Sequence, residues 1–496
     1  MKKILILTLI APLLLSACLF FEPQQANSPT DPSPTLQPSI DSNPEKLNSF
    51  KEGLNPIYHS VIDELQFASL YTINFVIEDS LSKLTGRMDV EYTNNENVEL
   101  NEVQFRLFPN ILGGEMKVNN VIVSEKVVEP QYKLENSLLI VPFENSLEIG
   151  QSVIISMDFE IEVPQSVDLN YGVQAYYNDV LALAHAYPMI AVYDDEGWNA
   201  EIPPQSGDVT YADMSFFIVT VDAPKDVVLV GSGREVSAAE NGNRQKVTYE
   251  AGPVRDFYLA ASPNYQEFVR EIDGVTVRFY TPSYLQAGAQ ESLDLAAQSI
   301  RIFNEKYGVY PYTELDFVST PTLALGIEYP GMIAITDWIM EPQIGYLETT
   351  VVHEVAHQWF YNLVGNDQLD EPWLDESMAQ FATMKYFTQR YGQEGMLAFR
   401  RELKGRWAYV NNEEIPVGLP VADYSGVEYS GIVYGRGALF FVELEQVMGT
   451  ENFDAFMKSY VEENSFGIST TEILRSEAEE HCSCDLTDLF EKWIYR

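Results

Sequence analysis

His353-Glu354-Val355-Ala356-His357 is followed, beyond residues 358–375, by Glu376 within Trp373-Leu374-Asp375-Glu376-Ser377. Two histidines four apart on a helix project from one face, one turn above the other. Their imidazole nitrogens can share one zinc ion at roughly 2.0–2.1 Å, and a carboxylate from a second element makes a third ligand. A fourth position left open to water is the layout of a catalytic site, whereas a structural site closes all four. Only five histidines occur in the whole chain, so two of them at this spacing are not the accident of a histidine-rich tract. Glu354, beside the first ligand, can take a proton from a metal-activated water and pass it to a leaving amine. A bare H-E-x-x-H pentad also occurs on ordinary surface and core helices, so its surroundings decide the reading.

Working outward, Thr349 to Leu363 reads as the helix carrying the pentad, with Gly365 as its C-terminal cap, and Leu374 to Tyr391 as the next helix, carrying Glu376. Upstream, Gln286 to Tyr307 has helical spacing, while Leu315 to Thr320 and Val275 to Tyr280 read as strands. Residues 66–265 instead show short alternating runs broken by turn signals. Gly86 to Tyr92, Val103 to Phe108, Ser215 to Val221 and Asp226 to Val230 are examples, and they read as half-buried antiparallel strands. The chain is too long for one core. The expected fold is a multidomain α+β protein, with a saddle- or sandwich-like antiparallel β domain over 51–265 and a mostly α domain over 266–496.

The spacing from the pentad to Glu376 resembles that of the aminopeptidase-N family of gluzincin zinc metallopeptidases. Leu325-Gly326-Ile327-Glu328-Tyr329-Pro330-Gly331 lies upstream, where that family keeps its G-A-M-E-N exopeptidase motif. Tyr434-Gly435-Arg436-Gly437-Ala438 is similar to its Y-x-K-G-A segment, and Phe490 to Tyr495 is similar to the close of its catalytic domain. The resemblance covers about residues 70–496, tightly at these motifs and by pattern across the β half. It implies a thermolysin-like catalytic domain and one Zn2+ per chain held by His353, His357 and Glu376, with Glu354 as general base. It further implies that Glu328 pairs with a substrate's α-amine and that the backbone at Gly326 and Ile327 runs beside the substrate as an added strand. Tyr434 would donate to the oxyanion. The partners expected are peptides with a free N-terminus; a zinc endopeptidase and a non-catalytic surface-binding lipoprotein are the competing readings.

Leu325 and Tyr329 replace the motif's glycine and asparagine, which leaves the shape of the first subsite open, and Arg436 replaces a lysine. Gln174 and the Tyr187-Pro188 region are weak candidates for the family's glutamine-bearing loop. The sequence ends at Arg496, so no large helical C-terminal domain is expected, and an open cleft indifferent to peptide length follows from that expectation.

Thirty basic against 74 acidic residues give a net charge of −44, which makes nucleic acid and anionic headgroups poor partners. Residues 1–17 read as a signal peptide: Lys2 and Lys3 precede an apolar stretch, Ile4 to Leu15, too short to span a bilayer. Leu15-Ser16-Ala17-Cys18 resembles the lipobox of bacterial lipoproteins, which implies a lipid anchor at Cys18 on the outer face of the cytoplasmic membrane, or export otherwise. Residues 18–50, rich in Pro, Ser and Asn, read as a disordered tether. Of the remaining cysteines, Cys482 and Cys484 are expected as exposed terminal thiols, since a disulfide across one residue is expected to be strained.

Overall fold

A computed structural model describes residues 44–496 apart from 205, 206 and 342. The expected signal peptide, Cys18 and most of the tether lie outside the described residues. Residues 44–50, expected to belong to the tether, are helical. Helical turns over Pro44–Leu47 and Asn48–Gly53 bury Leu47 and Phe50, and the Phe50 ring meets Phe216 edge-on at 5.0 Å. An aromatic with a prepared apolar seat overrides the polar composition around it.

The β half alternates as its sequence does. Lys83–Thr93 buries every second residue, the mark of a strand with one face on a core. Its largest sheet has eight strands, extending from Arg234–Asn241 at one edge to Lys126–Val127 at the other. Pairing is antiparallel except that Ser69–Ile77 runs parallel to Ser215–Pro224, where the sequence reading had all strands antiparallel. Two four-stranded sheets and one two-stranded ribbon complete this half. Val103 to Phe108 is strand only as far as Arg106, because Pro109, which cannot donate to a ladder, starts a 3-10 turn over Phe108–Asn110.

From Tyr265 the architecture changes. A five-stranded sheet is ordered Tyr265–Ile272, Val275–Pro282, Glu314–Thr320, Met332–Thr336 and Gly326–Ile327. The short Gly326–Ile327 strand is therefore an edge, paired on one side only. The helix Gln286–Tyr307 connects the Val275–Pro282 and Glu314–Thr320 strands, and the longer helices after the sheet are Leu347–Ala356, Trp373–Ala408, Ala438–Met448, Thr450–Asn464 and Thr471–Cys482. A β half followed by a helical half around the five-stranded sheet agrees with the expected α+β class.

Three local expectations need correction. The pentad helix ends at Ala356 rather than Leu363, and the chain continues in wide turns whose bonds span five residues, such as Asn362 N–H to His357 O at 3.0 Å. Tyr361, at φ 122°, then takes the backbone out of helical space. The helix carrying Glu376 reaches Ala408, with a break at Gly392 (φ 65°, ψ −153°) that only glycine adopts readily. Cys482 and Cys484 are joined in a disulfide and partly buried. Left-handed Ser483 ends the helix and folds the chain back, bringing the two Cα atoms to 5.1 Å, within the range a disulfide bridges.

Candidate metal centre and substrate cleft

The pentad helix buries nearly all of its length, and the sequence permits it because Thr350, Val351, Val352, Val355 and Ala356 surround the polar pair with small or apolar groups. His353 and His357 lie on one face, with Nε2 atoms 3.2 Å apart. The first turn of the long helix delivers Glu376, whose Oε2 is 3.1 Å from His353 Nε2 and 3.4 Å from His357 Nε2. His357 Nδ1 is 2.9 Å from the Phe360 carbonyl and can only donate there, which fixes the tautomer and leaves a bare lone pair on Nε2. Three converging lone-pair donors repel one another unless a cation sits among them. Tetrahedral ligands at about 2.0–2.1 Å lie about 3.3–3.4 Å apart, so the observed spacing fits one zinc ion.

Glu354, buried beside His357, is pushed well above its range by burial and then by Glu328. Glu328, Glu354 and His357 form a second set of close donors. Gln368 bridges the acids, donating to Glu328 Oε1 at 3.1 Å and to Asp375 Oδ2 at 2.6 Å, while Asn366 donates to Asp375 Oδ1 at 3.2 Å. Asp208, from a loop of the β half, is pushed well above its range by burial and then by Glu328 and Glu376. Carboxyls this close together resist ionising beside one another, and a dication or a cationic ligand end would relieve that repulsion.

Gly326 is where the edge strand passes the pentad helix. A Cβ there would stand 2.5 Å from Glu354 Cγ, so only glycine lets this strand lie against the acid. Ile327 pairs with Ala334 and carries Glu328 into the cleft. Tyr434 sits in a π-helical turn over Ile432–Gly437 and donates its hydroxyl proton to Glu376 Oε1. Burial, followed by repulsion from Glu376, pushes that phenol well above its ordinary range, so it stays a donor at neutral pH. Arg436 plays no part at the centre. It is buried, donating from Nη1 to the carbonyls of Ile415 and Trp493 and from Nη2 to that of Lys492.

Eight sequence-named residues thus gather in one place: Gly326, Ile327, Glu328, His353, Glu354, His357, Glu376 and Tyr434. Gln174 is buried in a strand of the β half, both its amide atoms lacking a hydrogen-bond partner among the described residues, and it does not line the cleft cavity. Tyr187 is buried as well, its hydroxyl accepting from the Phe257 N–H at 3.3 Å. Sequence reasoning missed Asp208, Gln368 and Asp375, although Asp375 adjoins Glu376 and its polarity inside an apolar helix start was a usable signal. Beside Glu328 a cavity is lined by Leu112, Tyr171, Val173, Ile327, Tyr329 and Tyr361, among others.

Residues 291–493 match the Peptidase family M1 domain. Among curated relatives, Aminopeptidase M1-B of Oryza sativa subsp. japonica is 24% identical over 404 residues, covering 77% of this chain and 44% of the relative. Aminopeptidase RNPEPL1 of Homo sapiens is 31% identical over 207 residues, covering 38% of this chain and 28% of the relative. The chain spans less than half the length of these relatives. An M1 zinc metallopeptidase from Deinococcus radiodurans shares the fold at a TM-score of 0.69 and 18% identity, over 86% of this chain and 93% of that one.

Proposed function

We propose that this chain, a member of the aminopeptidase-N family of gluzincin zinc metallopeptidases, is a zinc-dependent aminopeptidase that releases N-terminal residues from peptides. One observation carries the reading: the donor atoms of His353, His357 and Glu376 converge at zinc spacing with Glu328 and Glu354 packed against the same imidazole. Zinc held there supplies a Lewis acid that activates water and polarises the scissile carbonyl. Glu354 takes the proton of the attacking water and hands it to the leaving amine. Tyr434 donates to the developing oxyanion. Glu328, steadied by Gln368, pairs with the substrate's α-ammonium, which must find an opposite charge in so buried a place. The free edge of Gly326–Ile327 offers main-chain groups to an extended peptide. The first side chain enters the cavity beside Glu328, whose aliphatic and aromatic walls favour apolar residues.

The test is a panel of aminoacyl amides and their N-acetylated counterparts, with and without chelator. Glu354→Gln is expected to keep one zinc per chain and lose about 10³-fold or more in kcat. Acetylation that leaves turnover unchanged sinks the exopeptidase assignment in favour of an endopeptidase. No hydrolysis by the zinc-loaded chain sinks the enzyme reading altogether.

We infer in addition that the chain is exported and lipid-anchored at Cys18, on the strength of Lys2, Lys3 and the Leu15-Ser16-Ala17-Cys18 sequence alone. Mass spectrometry of the membrane fraction is expected to find an acylated N-terminal cysteine that Cys18→Ala abolishes, with the protein released.

A further inference from the structure

Arg255 lies between the strands Arg244–Val254 and Tyr258–Ser262 of the β half, 2% exposed, and directs its planar fork at backbone carbonyls. Nε donates to the carbonyls of Tyr361 at 2.6 Å and Asn362 at 3.0 Å, Nη1 to that of Ala212 at 2.9 Å, and Nη2 to those of Leu363 and Gly467. Three segments meet there: the turns after the pentad helix, the loop that carries Asp208, and the connection between Thr450–Asn464 and Thr471–Cys482. Gly365 makes the room. A Cβ on it would stand 2.1 Å from Arg255 Cζ, so this glycine, read from the sequence as a helix cap, is instead the seat of the guanidinium.

The next residue holds the same turn by its side chain. Asp256, fully buried, accepts the Tyr361 hydroxyl proton on Oδ2, and His185 Nε2 stands 3.5 Å from that oxygen. Tyr361 is thus pinned at its carbonyl by Arg255 and at its phenol by Asp256. It needs both, because a bulky residue adopts φ 122° only where its surroundings impose it. The peptide bond preceding Tyr361 carries the Phe360 carbonyl, whose oxygen is 2.9 Å from His357 Nδ1. Turning that carbonyl turns the imidazole, and the acceptor behind a ligating histidine sets its tautomer and its basicity.

Resting on the zinc centre of the proposed function, though not on its substrate, we propose that Arg255 is a positioning residue for the metal: it fixes the Phe360 carbonyl through Tyr361 and so aims His357 at the ion. A residue of the β half then governs zinc affinity in the helical half, although its own hydrogen bonds reach neither histidine. Lysine is no substitute, since a point-like ammonium on a flexible stem cannot hold carbonyls of three segments at fixed angles.

The test measures the zinc Kd of the full chain by competition with a chromophoric chelator, with no substrate present. Arg255→Lys is expected to weaken zinc by about tenfold and to shift the visible bands of the cobalt-substituted protein at saturating metal. Tyr361→Phe, which frees only the phenolic end of the pin, should give a smaller loss in the same direction, and it stands in where Arg255→Lys does not fold. Ligand variants test the route. Arg255→Lys should lose no further affinity in a His357→Ala background and about the same tenfold in His353→Ala. If Arg255 merely braced the fold, the folded variants would lose stability to urea while the zinc Kd and the cobalt bands kept their wild-type values, which overturns the proposal. So does an equal loss in both histidine backgrounds. A wild-type chain that takes up no zinc overturns the metal centre and the proposal with it, whereas zinc bound without turnover overturns the peptidase reading alone.

Discussion

Gly326 carries more of the site than its lack of a side chain suggests. Its missing Cβ is the space in which Glu354 stands, so Gly326→Ala forces either the edge strand or the general base to move. Misplacing a reacting group by about 1 Å commonly costs on the order of 10²-fold, and kcat should fall by about that much with the circular dichroism spectrum unchanged. Tyr434→Phe makes the complementary removal: it deletes a donor without changing the packing. We expect kcat down by about 10²–10³-fold with KM little altered, read from initial rates on an aminoacyl amide. A larger effect on KM than on kcat would mean that the hydroxyl binds substrate rather than the transition state. The residues tested here were legible because their spacing is local. His353 and His357 share a helix face, and Glu328 and Tyr434 stand inside recognisable motifs. Asp208 and Gln368 were not legible, since each reaches the cleft through tertiary packing and bears no fixed sequence distance to the pentad.

At the scale of elements, helix and strand periods were read well wherever one face is buried. Gln286–Tyr307 and the Glu314–Thr320 strand fall within a residue of expectation, because amphipathic spacing and burial coincide there. The misreadings lie where a backbone conformation is imposed from outside the element. Examples are the wide turns after Ala356, the left-handed Ser483 that brings Cys482 and Cys484 together, and the π-helical turn bearing Tyr434. That turn is held by Arg436, which was read as a charge retained in a motif and instead serves as a clamp on the carbonyls of residues 415, 492 and 493. Removing it strands buried acceptors, each costing about 1–3 kcal/mol. Arg436→Met should therefore destabilise the chain by about 3 kcal/mol in urea unfolding. Arg436→Lys should recover only part, because a point-like ammonium cannot span three carbonyls.

For the whole molecule the dominant fact is the excess of acid, and it sets how stability depends on pH in two separable ways. A net charge of −44 repels itself more strongly as carboxyls ionise, a long-range effect that salt screens. Buried acids add a local effect that salt reaches poorly. Burial pushes Asp316 up to about 7 despite the Arg278 guanidinium 3.2 Å away, with Glu314 and Glu267 adding repulsion; burial likewise pushes Asp367 and Asp375 up to about 7. For a carboxyl whose folded-state value lies above its unfolded value near 3.9, the folded chain keeps a proton that the unfolded chain has released. The contribution is present in full below about pH 4 and is lost as pH rises through 7. Urea unfolding midpoints should therefore fall between pH 5 and pH 8, opposite to a protein stabilised by salt-bridged carboxylates. Adding 0.5 M salt, about four Å of Debye length, should recover the surface part only. Asp316→Asn, which cannot ionise, should remove on the order of 1 kcal/mol of the salt-resistant remainder. If salt abolishes the whole slope, surface repulsion explains it alone and the buried acids are better compensated than their surroundings imply.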